Sequence, residues 1–259
     1  MNYWMRRLRA ALPWLLVAVI SSGTVLLVVL PAAWITPQFS KATGGHVNLV
    51  NPAGSLWHGS ATLMLAAGSD TSTATLLPGR VEWHTAFWPL FIGRVRMTML
   101  QSDAMPNPIT VDATRRGAIL SQGAIAVPAS LLTGLGAPFN TLDLEGDVQL
   151  AWSDWRSFGN EAFGQLTVTL VDASSRVSLV KPLGSYRVVI QAEGDRSTVD
   201  LSTLKGPLML NGHGSVSAGS TMFNGTASAA PEARDNLAGL LNLLGRPSGP
   251  DTVALTFVH

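Results

Sequence analysis

The feature that most constrains this chain is a long apolar stretch close to its beginning. The residues from Ala10 to Leu30 are almost all apolar, and the chain carries no charge between Arg9 and Lys41. About 20 apolar residues in a helix are enough to cross the hydrocarbon core of a bilayer. The stretch therefore predicts a single amino-terminal transmembrane helix, which we place at residues 10–34.

Three arginines, Arg6, Arg7 and Arg9, lie directly before this stretch. Basic residues that flank a transmembrane helix stay on the cytoplasmic side of the membrane. We therefore expect residues 1–9 to form a cytoplasmic tail. Residues 35–259 are then an exported domain on the far side of the cell inner membrane, in the periplasm.

A cleaved signal peptide is the alternative interpretation of the same segment, since a basic start and an apolar run describe both. The apolar run is longer than the roughly 7 to 15 residues of a signal-peptide core. Val29, Pro31 and Ala33 also make a poor match to the small residues of a cleavage site. The pattern therefore favours a retained signal anchor.

Composition excludes several classes of protein. The 17 Lys and Arg residues, less the three arginines at the start, leave 14 basic against 16 acidic residues. A nucleic-acid binder needs a basic surface, so we expect no nucleic-acid partner. The chain has no cysteine, which excludes disulfides and thiolate metal ligands. With 47% hydrophobic residues, it has enough apolar side chains for a sizeable core.

The exported part alternates apolar and polar residues in short segments, the pattern of half-buried β-strands. Gly, Pro, Asn and Asp separate these segments, so we predict a mainly β domain rich in antiparallel hairpins. The alternating groups are Leu142, Leu144, Val148, Leu150 and Trp152; Leu166, Val168 and Leu170; Val177 and Leu179; Val188 and Ile190; Val199 and Leu201; Leu208 and Leu210; and Val253, Leu255 and Phe257.

Several turn signals lie between the groups. Asn211-Gly212 is the strongest two-residue hairpin signal in the chain and predicts a tight turn there. Gly184 and the segment 193–195 predict further turns. The segment 102–108, which contains two prolines, an Asp and an Asn, is the best position for a linker between two lobes, although a long hairpin loop has the same composition.

One short amphipathic helix is predicted near the carboxy terminus. It follows Pro231 and precedes Pro247, and Gly245 is placed to end it in the left-handed conformation. Its apolar face consists of Leu237, Leu240, Leu241 and Leu244. Residues 128–132 also predict one or two helical turns.

No motif points to catalysis. His46, His58 and His84 do not have the spacing of a zinc site. The sequence contains no Gly-x-Ser-x-Gly motif, and it has no cysteine nucleophile. We therefore expect no enzymatic activity, no cofactor and no metal.

The most distinctive short segment runs from Gly54 to Ala61 and has the sequence GSLWHGSA. Two glycines flank a tryptophan, which favours a bulge or tight bend with the Trp57 ring packed down. The segment resembles the conserved pattern of the type II secretion system protein N family, and further matching residues follow in the same order. Those motif positions are Gly54, Leu56, Trp57, Gly59, Pro78, Gly79, Trp83, Gly146, Pro182, Gly184 and Gly206.

This resemblance implies an accessory inner-membrane component of the apparatus that carries folded periplasmic proteins across the outer membrane. Its expected partners are other type II secretion components and inner-membrane lipid. The family offers no catalytic or cofactor residues, so the motif positions are expected to shape the fold or an interaction surface.

Two functions remain open beside this one. A membrane-anchored β-domain can also curl around an acyl chain, as AsmA-like proteins are thought to, which makes a lipid-binding or lipid-transfer groove the main alternative. A hydrolase is the weaker alternative, because the motifs for it are missing.

Overall fold

The structure is a computed structural model that describes residues 21, 25, 29–67, 70–135, 139–217, 220–249 and 251–258. Arg6, Arg7, Arg9 and most of the predicted transmembrane helix at 10–34 lie outside these residues. In the part of the chain that is described, no helix combines the length and the apolar character needed to cross a membrane.

β-strands dominate the described residues and join through antiparallel hydrogen bonds into one sheet, which confirms the mainly β prediction. The strands are β1 (Val47–Gly54), β2 (His58–Ala67), β3 (Asp70–Leu76), β4 (Val81–Ala86), β5 (Arg94–Leu100), β6 (Ile109–Thr114), β7 (Gly117–Leu120), β8 (Gly123–Pro128), β9 (Leu144–Trp152), β10 (Trp155–Phe158), β11 (Glu161–Ser175), β12 (Gly184–Gly194), β13 (Arg196–Lys205), β14 (Leu208–Ser217), β15 (Ser220–Ala229), β16 (Arg246–Pro247) and β17 (Thr252–Val258).

Helical segments occupy the connections. Among the segments that lie wholly within the described residues, three are α-helices: α1 (Thr36–Ala42), α2 (Phe139–Leu142) and α3 (Arg234–Leu244). Four are 3₁₀ segments, at Ala32–Trp34, Trp88–Ile92, Ala129–Leu135 and Pro231–Ala233.

The sheet is a succession of hairpins with two branch points. β2 pairs with β1 on one edge, and on the other edge it pairs first with β4 and then with β3. β11 is the longest strand and branches in the same way, pairing with β12 on one edge and with β10 and then β9 on the other. β7 pairs with both β6 and β10 and so connects the two halves.

The main core lies under the carboxy-terminal half of the sheet. Leu237, Leu240 and Leu241 of α3 are buried against β15 and β17, where Ala227 and Val253 lie. This confirms the amphipathic helix predicted from the leucine spacing. The helix is preceded by a 3₁₀ turn that begins at Pro231, because a proline there loses no intrahelical hydrogen bond.

The predicted hairpin turn at Asn211-Gly212 is wrong. Both residues lie in the middle of β14, where Gly212 pairs with Leu201 of β13 and with Gly225 of β15. The glycine is there for a cross-strand contact, because a Cβ atom on Gly212 would lie 2.4 Å from the Phe223 ring. The β14–β15 hairpin instead closes beyond Ser217.

Three smaller predictions also need correction. Val177 and Leu179 are not in a strand, because β11 ends at Ser175 and Leu179 is 86% exposed in the following loop. Gly184 is not a turn residue but the first residue of β12. Gly245 has an extended φ of −176° rather than a left-handed one, because the chain passes straight from α3 into β16.

Other local predictions are confirmed. The turn at 193–195 connects β12 to β13, and the helical turns near 128–132 are the 3₁₀ segment at Ala129–Leu135. The segment 102–108 was predicted as the best position for a linker between two lobes; it closes the hairpin between β5 and β6, which is the alternative that its composition left open.

We predict that Gly212→Ala lowers the free energy of unfolding by about 1–2 kcal/mol, because the new methyl group displaces the Phe223 ring. In a Phe223→Leu background the same change should cost less, which chemical denaturation of all four proteins would measure as a coupling energy. An equal cost in both backgrounds would show that the backbone at Gly212, not the ring, requires the glycine.

Candidate functional site

The family-like motif lies where the chain leaves its apolar amino-terminal stretch. The main-chain N–H of Leu56 donates a hydrogen bond of 2.8 Å to the carbonyl of Leu30, and Pro31 forms a β-bridge with Ser55. Ala32 follows at once and is 1% exposed, packed with Ala61 and Trp83. The junction between the apolar stretch and the β-domain is therefore packed directly, without a linker.

Trp83 is the central side chain of this junction. Its indole N–H donates to the carbonyl of Leu56 at 3.2 Å, and the Thr85 hydroxyl donates to the same carbonyl at 2.8 Å. A Cβ atom on Gly59 would lie 2.5 Å from the Trp83 ring, so glycine is what allows the ring to lie against the backbone of β2. Sequence reasoning expected Trp57 to pack down here, but the ring against Gly59 is that of Trp83.

Trp57 instead turns toward the connection between β4 and β5. Its ring contacts Phe87 edge-to-face, with centroids 5.2 Å apart. Gly54 has a left-handed φ of +82° at the end of β1, where the chain turns toward this loop. The remaining motif residues of this half, Pro78 and Gly79, lie in the connection before β4, and the Pro78 carbonyl accepts a hydrogen bond from the Gln101 side chain.

The other motif residues lie at the opposite end of the sheet, in the carboxy-terminal half. Gly184 and Gly206 are back to back, and a Cβ atom on Gly206 would lie 2.3 Å from the Cα of Gly184. Pro182 follows a cis peptide bond with Lys181, and Gly146 lies beside the Val171 carbonyl at the start of β9. The structure thus divides the motif residues between two places.

The second place borders an apolar cavity of about 320 Å³. Strands β9 and β11–β14 form its walls, and helical segments carrying Leu132, Leu142, Leu240 and Leu244 border it. Its lining is Leu132, Leu142, Leu144, Val148, Val168, Leu170, Ala173, Ser175, Leu183, Tyr186, Val188, Leu201, Leu208, Leu210, Leu240 and Leu244.

The two hydroxyl groups of this lining are already satisfied. The Tyr186 hydroxyl donates to the Leu208 carbonyl at 3.0 Å, and the Ser175 hydroxyl donates to the Leu142 carbonyl. Burial raises the pKa of Tyr186 well above its usual value, so the phenol stays neutral at any physiological pH. The cavity wall therefore offers apolar contact and no charge.

Charged residues near the cavity pair with one another on the outer surface. Lys205 Nζ lies 2.7 Å from Asp172 Oδ1, and this ammonium group lowers the pKa of the Asp172 carboxyl. Arg176 lies 3.1 Å from Asp143 and 3.3 Å from Glu145. A molecule in the cavity would therefore contact none of these ionic side chains, because none of them belongs to the cavity lining.

His46, His58 and His84 are not gathered into one cluster. His58 and His84 lie across β2 and β4 with their ring nitrogens 2.7 Å apart, whereas His46 hydrogen-bonds the Ala66 carbonyl. The described residues contain no group of three or more His, Cys, Asp or Glu side chains that could hold a metal ion. The absence of a cofactor and of enzymatic activity stays a prediction.

Sequence reasoning identified most cavity residues only as members of alternating strands. Leu144, Val148, Val168 and Leu170 were assigned to two alternating strands, and the structure pairs these strands as β9 and β11. Their convergence with Leu240 of α3 depends on pairings between distant strands. No local sequence signal reports such pairings.

Comparison with known proteins identifies a family. The model of the family described as "Type II secretion system (T2SS), protein N" matches residues 45–256, which is most of the chain and includes both places described above. No curated protein and no solved structure matches the chain.

We predict that Gly206→Ala lowers the free energy of unfolding by at least about 2 kcal/mol. Its φ of +123° disfavours any side chain, and the new methyl group would overlap the Gly184 backbone. The matched control is Gly239→Ala on the exposed face of α3, where the new methyl group meets nothing within 4 Å. That change should raise helix stability by about 0.5–1 kcal/mol, and equal effects of the two variants in denaturation would contradict the prediction.

Proposed function

Because this chain belongs to the type II secretion system protein N family, we propose that it acts as a non-enzymatic accessory component of the type II protein secretion apparatus. The family match over residues 45–256 is the observation that carries the proposal. The role is to assist the export of folded periplasmic proteins across the outer membrane through contacts with other secretion components.

The proposed placement is a single-pass inner-membrane protein with residues 1–9 in the cytoplasm, 10–34 across the membrane and 35–259 in the periplasm. The apolar sequence from Ala10 to Leu30 and the arginines before it support this orientation. Because Ala32 packs into the β-domain, the proposed span ends near Leu30, where the apolar stretch ends, rather than at residue 34.

The last strand offers a docking edge for a partner. β17 pairs with β15 along its length, whereas β16 covers only Val253 and Ala254 on the other edge. In the described part of the chain, no strand pairs with that edge from Leu255 onward. An open strand edge can hydrogen-bond a strand from another protein, and such an edge is a frequent means of assembly.

The first test is removal of the chain from cells that secrete through this apparatus. We expect secreted proteins to accumulate in the periplasm at least severalfold, with full recovery when the intact chain is restored. Immunoblotting of culture medium and periplasm measures this, together with the levels of the other components. Unchanged secretion with unchanged component levels would overturn the proposed role.

The docking edge has its own test in intact cells. A photo-crosslinking residue at Thr256, which is exposed on β17, should capture another secretion component. The matched control is Thr198, exposed on the central strand β13, whose two edges are both paired. Equal capture from both positions would contradict docking at this edge.

The apolar cavity favours a second function, the binding or transfer of a lipid by the periplasmic domain. Its volume of about 320 Å³ lies in the range of small-molecule sites. Because the lining hydroxyls are satisfied and no charge lies inside, an apolar chain is the ligand that the wall suits best. A polar headgroup would have to remain outside this apolar lining.

We predict that Leu201→Trp, which places a larger ring in the cavity, reduces binding of a fluorescent fatty acid by the detergent-purified chain at least tenfold. The control is Ser202→Trp, because the neighbouring side chain is exposed on the other face of β13. Circular dichroism would verify that both variants fold. Failure of the unsubstituted chain to bind the fatty acid, or equal binding by all three proteins, would remove the lipid hypothesis.

A further inference from the structure

A group of large apolar side chains projects into solvent at the connection between β4 and β5. Trp88 is 80% exposed, Ile92 74% and Phe91 70%. Together with Trp57 and Phe87 they form what we call the aromatic patch. Contiguous exposed aromatic groups on a folded domain mark a surface that another phase or molecule covers.

The patch is a preformed structure. Its residues belong to the loop 55–57 and to the 3₁₀ segment Trp88–Ile92 with the preceding Phe87. The aromatic rings among them contact one another. The Phe87 ring lies 5.2 Å from both the Trp57 and the Phe91 rings, and Trp88 lies 5.8 Å from Phe91. These edge-on and tilted contacts are the geometry that aromatic side chains prefer.

The position of the patch indicates what covers it. The apolar sequence stretch ends at Leu30, whose carbonyl is hydrogen-bonded to Leu56, the residue next to Trp57. Because Ala32 is buried in the β-domain, the patch has a fixed place beside the end of that stretch. The chain can neither rotate the patch away nor lengthen the distance through a flexible tether.

Positive charge adjoins the patch. Arg94, Arg115 and Arg116 line a cleft of about 610 Å³ together with Ile92. The nearby carboxylate of Asp112 is already paired with Arg96 at 2.8 Å. The cleft therefore carries an excess of positive charge beside Ile92 of the patch.

We propose that the aromatic patch lies in the interfacial layer of an anionic phospholipid membrane, with Arg94, Arg115 and Arg116 on the lipid phosphates. Tryptophan is enriched at the interfaces of membranes, and arginines near an anionic surface are attracted to its headgroups. This inference rests on the proposed anchoring of residues 10–34. It adds a second contact with the membrane, which fixes the tilt of the β-domain.

The natural absence of cysteine permits a direct test on the full chain in nanodiscs that contain an anionic phospholipid. A nitroxide label is attached to single-cysteine variants, Trp88→Cys in the patch, Val25→Cys in the apolar stretch and Leu179→Cys as the control. Leu179 is 86% exposed and lies in the loop between β11 and β12, at the other end of the sheet. Relaxation by oxygen reports lipid, and relaxation by a nickel chelate reports water.

We expect the labels at 88 and 25 to respond to oxygen and the label at 179 to respond to the nickel chelate. If position 88 responds like 179 while position 25 remains in lipid, the inference is overturned and the anchor stands. If position 25 also lies in water, the proposed anchor fails, and the response at 88 then decides the inference separately. A patch that serves a protein partner instead would leave position 88 in water in these purified samples.

The role of the arginines has a separate readout. Replacing Arg94, Arg115 and Arg116 with glutamine should lower the ratio of docked to undocked label at position 88 about fivefold per arginine in anionic nanodiscs. Zwitterionic nanodiscs should show little change. The control is Arg187→Gln, since Arg187 is exposed on β12 away from the cleft. An equal loss in both kinds of nanodisc would overturn phosphate binding by the cleft.

Discussion

The main-chain N–H and carbonyl of Leu56 join the end of the apolar stretch to the sheet in the amino-terminal half of this protein. The N–H of Leu56 bonds the end of the apolar stretch, and its carbonyl accepts from both Trp83 and Thr85. Leaving such groups unpaired in a partly buried place costs about 1–3 kcal/mol each. Because the same residue contacts both Leu30 and the Trp83 ring, the end of the apolar stretch is held against the β-domain by packing.

Glycine has a repeated use in this sheet, which is to let an aromatic ring lie flat on a neighbouring strand. Gly59 accommodates Trp83, and Gly212 accommodates Phe223. In each pair the missing side chain of one strand is replaced by the ring of the next, so the face of the sheet stays filled. This accounts for many of the glycines that fall inside strands, where their conformational freedom alone would only weaken the sheet.

These cross-strand uses also explain which features sequence analysis could predict. The alternation in β9 and β11 and the leucine spacing of α3 are local patterns, and they gave the right elements. Asn211-Gly212 and Gly245 were misassigned because their local turn chemistry is overridden by contacts with distant residues. The apolar cavity was beyond prediction for the same reason, since its walls come together only through the order of the strands. The motif positions were located by resemblance, because no periodicity or turn signal distinguishes them from the other glycines and prolines of the chain.

Strand β11 extends from the side of the sheet that carries the aromatic patch to the apolar cavity. Its early residues adjoin the turns on the side of the aromatic patch, and its last residues line the apolar cavity. The first of these lining residues on β11 is Val168, five residues beyond Phe163, which is a rise of about 17 Å. With the patch in the membrane interface, as proposed, a molecule held in the cavity would be separated from the patch by this length of strand.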